Sequence, residues 1–569
     1  MSEDTPTRQG AASGDLADLL GRGGLPAELR HASGMKKLSY ITSLPAPAAF
    51  VEQLASEELY LLLRDIGKRD AYPLLAYATA DQLQAIVDLD AWHKHELQLP
   101  RWLEWLDLSL AADIDTGLRF LAASDDELLE WLFVGQGGVR ILGNDVELSD
   151  IPDELAAFDT PDGMYRVTLP RDHALADRMP QLLKLLWAMD VDRMRVIFQQ
   201  ARFDLASSVE EYMERFRGGR LQDLGFEAPS EAARVFSSGD PAGLRARVRA
   251  GLDQLAPLSR ICSDATAGGL VLRGVTPPRL LGAALARLDD EPRARFAEAM
   301  TALVNRVFMA LTGDLSRTED LPTAGRHAAA LVNLGLQHVA DGDVATAARA
   351  LERIWPVELF QAGHALTLDV ARAARQIARR SGANAGLSPF GSPTDEALHG
   401  VALPRPLLFE GVIDRARVSY RPFADLRELA RVAALVEDAD AVLGLFETQL
   451  GHSPEALDSL NIDDDARRRL SLATLLRTAL AQLIVRDAFS FAPLSAGDVA
   501  AFARAAFTPQ GALSEPLKAA LSRITGTAPE AVGAFAERAV AELVEAIGGV
   551  RPEAIDPRYA GDLFLIAPG

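Results

Sequence analysis

The stretch Leu54–Leu110, LASEELYLLLRDIGKRDAYPLLAYATADQLQAIVDLDAWHKHELQLPRWLEWLDLSL, decides the fold class. Within it Leu59, Leu62, Leu63 and Ile66 fall at i, i+3, i+4 and i+7, one face of an α-helix. Leu83, Ile86 and Val87 repeat the pattern, as do Leu103, Leu106 and Leu110, and further on Leu128, Leu129 and Leu132. The helix starts recur as well. Thr79 with Gln82, and Ser124 with Glu127, fit the capping box in which each side chain satisfies the other residue's orphan amide. Ser56 and Pro100 open the units between them. Starts at 56, 79, 100 and 124 lie 23, 21 and 24 residues apart, the size of a short helix pair. A unit that small cannot bury its own apolar face, so its neighbours must stack on it. The pattern predicts a mainly α chain built as an α-solenoid or helical repeat.

The same run, with its Asp-Leu-Asp-x-Trp at Asp88–Trp92, resembles an uncharacterised bacterial domain-of-unknown-function family. The resemblance continues through TPDGMYRVTLP (160–170) and GGRLQDLGF (218–226), so it covers at least residues 45–226. It implies a helical fold and brings no activity and no catalytic residues. Residues 45–135 are more loosely similar, in repeat texture, to the cytoplasmic N-terminal superhelix of MgtE-type magnesium transporters. Transport is not implied, because no window reaches the roughly 18 uncharged apolar residues that span a bilayer.

Outward from this run the texture changes. Residues 1–35 are glycine-rich and read as a flexible tail, with one amphipathic turn at Leu16, Leu19 and Leu20. The helical-repeat solenoid is expected over 36–135. Near 138–170 the segments VRILGNDVEL and MYRVTL read as short strands turning at Gly143-Asn144, a small β-hairpin or three-stranded insert. Helices resume to 226, the last having Ser207 and Glu210 as a capping box and Gly218-Gly219 as its stop. A helical middle domain (227–385), a proline-marked linker (386–406) and a C-terminal helical domain (407–569) complete the expected layout.

The chain has 569 residues and a formal net charge of −22. Residues 1–160 hold 28 Asp+Glu against 12 Lys+Arg, and 107–160 alone hold 13 against 2. The rest of the chain is close to balanced. This acidity makes nucleic acid an unlikely partner, since phosphate binders carry a basic surface. The single cysteine, Cys262, excludes an intrachain disulfide framework and any cysteine-cluster zinc site. Met1–Gly14 is polar and lacks the apolar core of a signal peptide, so a cytoplasmic setting is expected.

Asp88, Asp90, His93, His95 and Glu96 form the densest group of potential metal ligands. His-x-His puts both rings on one side only in an extended segment, and HExxH is absent. The alternative is an inter-repeat turn in which Asp90 caps and Trp92 packs. No nucleophile elbow, P-loop or strand-borne G-x-G-x-x-G appears, and no cofactor is expected. Arg372, Arg375 and Arg379 make a basic stripe on one helix, for ion pairing or for phosphate. Trp92 and Trp102 pack in a core or line a groove for a partner helix. Asp125 and Asp126 begin a helix or face a basic partner. These features point to a cytoplasmic, non-enzymatic scaffold or adaptor for another, possibly basic, protein. The alternatives are an enzyme with a site in the middle region and a divalent-cation sensor on the acidic solenoid.

Overall fold

A computed structural model describes residue 29 and residues 32–567, except 136, 144, 148, 150, 225, 260–274, 316, 382–388, 450–459, 461, 463, 465, 466, 468, 527, 528 and 557–561. Cys262, the turn residue Asn144, the amphipathic turn at Leu16–Leu20 and most of the expected tail lie outside the described residues. The chain is mainly helical, 67% helix with 24 helices and a few small sheets among the described residues. No described helix is long and apolar enough to cross a membrane.

The N-terminal run forms α1 (Gly34–Ser43), α2 (Pro47–Glu52), α3 (Ser56–Ile66), α4 (Lys68–Ala71), a 3-10 turn (Tyr72–Tyr77) and α5 (Ala80–Asp90). A two-residue-stranded hairpin, β1 (Trp92–His93) and β2 (Glu96–Leu97), leads into α6 (Leu99–Ala112), α7 (Ile114–Ala123) and α8 (Asp126–Val134). The stripes that predicted these helices are buried: Leu59, Leu62, Leu63 and Ile66 on α3 meet Leu83, Ile86 and Val87 on α5 as the two helices pack together. The Thr79 capping box forms, with Thr79 Oγ1 accepting from Gln82 N at 3.2 Å and Gln82 Oε1 accepting from Thr79 N at 2.9 Å. Gln82 also donates to the carbonyls of Val51 and Leu54, both at 2.8 Å, which ties the end of α2 to α5. The Ser124 box does not form. Ser124 closes α7 by donating to Phe120 O at 3.1 Å, and Asp125 is the N-cap of α8.

The expected small sheet is three-stranded and antiparallel, in the order β3 (Arg140–Gly143), β5 (Tyr165–Pro170), β4 (Leu155–Asp159). Its tight hairpin joins β4 to β5 through Pro161-Asp162-Gly163. Gly163 has φ +67° there, and Asp162 accepts from Thr160 Oγ1 at 2.7 Å and Met164 N at 3.2 Å. Proline, aspartate and glycine in that order supply the preset φ, the side-chain acceptor and the left-handed residue that such a turn needs.

Next come α9 (Met179–Met189), α10 (Val191–Ala201) and α11 (Ala206–Asp223). The Ser207 box is absent, Leu205 standing at the N-cap, and Gly218-Gly219 does not stop α11. Each helical glycine costs about 1 kcal/mol relative to alanine. Arg217 and Arg220, flanking the pair, are anchored on α5 and carry the helix through.

The middle helices are α12 (Pro229–Ala232), α13 (Pro241–Gly251), α14 (Arg279–Leu285), α15 (Asp290–Thr312), α16 (Leu321–Ala340), α17 (Val344–Leu351) and α18 (Pro356–Arg380). They are followed by α19 (Thr394–Ala402), the strand pair β6 (Leu408–Phe409) and β7 (Tyr420–Arg421), and α20 (Leu426–Gln449). Helices α21 (Leu472–Arg486), α22 (Ala496–Ala506), α23 (Glu515–Thr525) and α24 (Glu530–Ile547) close the chain. Helix α19 lies inside the stretch read as a linker and buries Ala397, Leu398 and Val401. Helix α23 went unread in the sequence although it carries Ser514 as N-cap and Pro516 in its first turn.

Two compact units result: Met1–Ser237 with Ala242–Gln361, and Ser238–Pro241 with Ala362–Gly569. The first has an aromatic core in which Phe198 lies 4.5 Å from Phe133 and 4.9 Å, edge-on, from Trp187. The second centres on α21, packed against α22, α23 and α24, with Phe446, Phe502 and Phe564 buried.

Close packing in the first unit has a direct test. A Cβ on Gly335 of α16 would stand 2.1 Å from the carbonyl oxygen of Leu359 on α18. The contact is with backbone, so no rotamer relieves it. Gly335→Ala is expected to destabilise the fold by about 1–3 kcal/mol, the usual cost of overpacking. Urea denaturation would read this as a lower midpoint at unchanged slope.

Candidate functional site

The polar chemistry of the first unit gathers where α5 ends. Asp88 and Asp90 are two residues apart on a helix, so they leave it about 200° apart and reach different neighbours. Both are 1% exposed.

Asp90 sits among α3, α4 and α6. It accepts from Tyr60 Oη and Trp105 Nε1, each at 2.8 Å, and pairs with Lys68 Nζ. Arg64 adds a contact at 3.4 Å, and the Lys68 ammonium also lies over the Trp105 ring at 4.9 Å. Burial alone would raise the Asp90 pKa, but the Lys68 ammonium and the two hydrogen bonds hold it below the usual carboxylate value. This is a satisfied buried charge. It does not cap the helix.

Asp88 faces α11. Arg220 clamps it with Nε at 2.7 Å and Nη2 at 3.0 Å, while Nη1 reaches Asp125 at 2.7 Å. With its carbonyl turned to Arg220, the Gln84 amide accepts from Nη2 at 3.0 Å. Arg217 donates to the carbonyls of Asp88, at 3.0 Å, and Lys94, at 3.2 Å, and lies 4.6 Å over the Trp92 ring. The hairpin that follows α5 is thereby held from the α11 side. Lys94 at its tip has φ +55°.

The hairpin separates the remaining candidate metal ligands. His93 Nδ1 is 3.2 Å from Asp314, His95 contacts Glu214, and Glu96 is exposed opposite His93. Among the described residues no group of three or more His, Cys, Asp or Glu could hold a metal ion.

The candidate partner residues are also placed. Trp92 and Trp102 are 4% and 0% exposed and offer no surface; Trp102 packs 5.7 Å from Phe120. Asp125 is engaged by Arg220, and Asp126 pairs with Arg193 at 2.6 Å. In the second unit Arg372 pairs with Asp369, and Arg375 donates to the carbonyls of Ala402, at 2.8 Å, and Leu403, at 2.7 Å. Arg380 binds Glu447 and Asp440, while Arg379 is exposed. The stripe is thus mostly spent on contacts within the unit.

Two clefts open beside this cluster. One, of about 650 Å³, is lined from α2, α3, α5 and α11; the other, of about 350 Å³, lies between the hairpin, α11, α12 and the end of α15. Sequence reasoning missed Glu57 in the first cleft, naming only its neighbour Ser56 as a helix start. Burial pushes its pKa from 4.5 up to about 7, the nearby Glu58 charge adding to this. Glu130 on α8 is likewise raised to about 7 by burial and by Asp204 beside it.

The direction of the pH effect follows from these values. Glu57 holds its proton in the folded chain up to about pH 7, but an unfolded glutamate releases it near 4.5. Its contribution to stability is therefore fully present below the unfolded value and lost as pH rises through about 7. Glu57→Gln keeps the uncharged shape. It should match the parent at pH 4.5 and exceed it at pH 8 by up to about 3 kcal/mol, because each tenfold difference in proton affinity between folded and unfolded chain is worth about 1.4 kcal/mol. Paired denaturation curves at the two pH values would check this. In contrast, Asp90→Ala strands Lys68, Tyr60 and Trp105 and should cost about 3–5 kcal/mol, measured by the same unfolding curves.

No curated protein and no solved structure matches this chain. Residues 25–566 match a family of unknown function, DUF6178, and the chain, matched over nearly its whole length, belongs to it.

Proposed function

We propose that this protein is a cytoplasmic, non-enzymatic scaffold or adaptor of helical-repeat architecture that binds another protein. One observation carries the reading: exposed large apolar side chains crowd into residues 191–216. Val191, Val196, Phe203, Leu205, Tyr212 and Phe216 all lie there, with Phe203 76% and Leu205 70% exposed. Tyr212 and Phe216 are i, i+4 neighbours on the outer face of α11, opposite its buried stripe of Val209, Met213, Arg217 and Leu221. Single exposed apolar residues are ordinary, but a concentration of aromatic and aliphatic groups marks an interaction surface. Asp204, Glu210, Glu211 and Glu214 border the apolar residues in sequence, which suits a partner with a basic rim.

The cation-sensor alternative draws less support, because the carboxylates of Asp88, Asp90, Asp125 and Asp126 are already neutralised by Lys68, Arg220 and Arg193. The adaptor reading has a discriminating experiment. The chain and a Phe203→Asp/Leu205→Asp double variant are used to capture partners from native lysate at low salt. The parent should retain a stoichiometric partner and the variant should lose at least about tenfold of it, the loss typical of interface anchors, with its melting curve unchanged. A parent that is repeatedly monomeric and clean, or a variant that keeps the same partner, sinks the proposal.

A further inference from the structure

The cleft of about 650 Å³ is lined by far more acidic than basic side chains. Five acidic side chains line it, and Arg220 is its sole basic lining residue. Arg220 is already consumed, by Asp88 on two nitrogens and by Asp125 on the third. Among the described residues no ion pair reaches the other four acids, Glu52, Glu57, Asp81 and Asp223. Glu57 is the informative one. It is 4% exposed, and its carboxyl has no hydrogen bond among the described residues except to its own backbone N–H. Buried charges in proteins are ordinarily paired. This one is desolvated without a counterion and lines an open cleft.

The walls complete the specification. Leu54, Ala55, Ala85 and Leu224 contribute apolar surface to the same lining. The volume falls within the roughly 300–1,000 Å³ of small-molecule sites. A bare metal ion would need several oxygens converging on one point, and among the described residues no group of three or more His, Cys, Asp or Glu could hold one. An alkyl chain bearing separated ammonium groups matches the walls and the spread of charge at once.

We propose that this cleft binds a small organic cation, an alkyl ammonium of the polyamine type, with Glu57 as its buried anchor and Asp223 as an outer contact. The site is separate from the apolar face of α11 and does not depend on the adaptor reading. The full chain is titrated with spermidine by calorimetry and thermal shift at pH 8 and about 0.15 M salt, with magnesium chloride as the control for general screening. Spermidine should bind with a Kd below about 1 mM and raise the melting temperature, where magnesium does not. Glu57→Gln should weaken binding at least about tenfold, one decade being about 1.4 kcal/mol. Asp223→Asn, at an exposed position, should weaken it less and keeps the test decisive if the first variant misfolds. Nα-acetyl-lysine amide separates the sources of the ammonium: comparable binding assigns it to a lysine side chain, and binding of spermidine alone assigns it to a free polyamine. Absence of spermidine binding, equal binding of magnesium, or affinity unchanged in both variants overturns the proposal.

Discussion

Asp88 and Arg220 are 132 positions apart in the chain, and their bidentate pair is the contact on which the first unit turns. Removing a carboxylate and a guanidinium from water costs several kcal/mol per ion, repaid only when geometry and extra hydrogen bonds are good. Here they are good: Arg220 has two carboxylate partners and an amide, and Arg217 beside it takes two carbonyls and an aromatic face. The cost of a mismatch makes this docking specific. Helix α11 can seat on α5 in one register, because sliding by one residue would bury three charges without partners. Two residues further on, Asp90 does the same for α3, α4 and α6. One helix end therefore sets the position of elements before and after it in sequence.

Periodicity made the helices legible because burial of one face is a local property of sequence. Leu59, Leu62, Leu63 and Ile66 announce α3 whatever lies against them, and the Thr79–Gln82 box is complete within four residues. What was not legible depended on distant partners. Ser207 and Glu210 have the spacing of a capping box, yet Glu210 accepts from Trp131 Nε1 at 3.2 Å on α8 and is not free to reach back. The Gly218-Gly219 pair has the composition of a helix stop, and only the anchoring arginines override it. Likewise Asp88 and Asp90 looked like a ligand pair in one dimension. Their divergence on the helix, and the cations that meet each, belong to tertiary structure. The hairpin turn at Pro161-Asp162-Gly163 is different: its signal was local and readable, and Gly143-Asn144 was preferred to it.

The charge asymmetry of the sequence takes on another meaning in the fold. The acids of residues 107–160 looked like a surface awaiting a basic partner. Several are met from within: Asp107 by Arg178, Asp125 by Arg220, Asp126 by Arg193 and Asp159 by Arg166. Those arginines all come from residues 166–220, where 10 Lys+Arg stand against 8 Asp+Glu. Four of the 13 acids in 107–160 are thus met by internal complementarity between consecutive parts of the first unit. Four further acids without an ion pair among the described residues, Glu52, Glu57, Asp81 and Asp223, share the larger cleft, which net charge alone would not have located.

The glycine pair in α11 carries a last consequence. Nothing lies within 4 Å of where a Cβ would stand on Gly218 or Gly219, so neither residue is required by close packing. Alanines there would fit sterically and favour the helix. With glycines, the turn from Arg217 to Asp223 draws little from its own propensity and most from its contacts with α5. Such a segment opens locally at a lower free energy than the helix before it. Its amides would exchange with solvent as one cooperative group, on a timescale set by the ion pair with Asp88. The ion pair with Asp88 thus holds the last turns of α11 in helix along the wall of the larger cleft that they line.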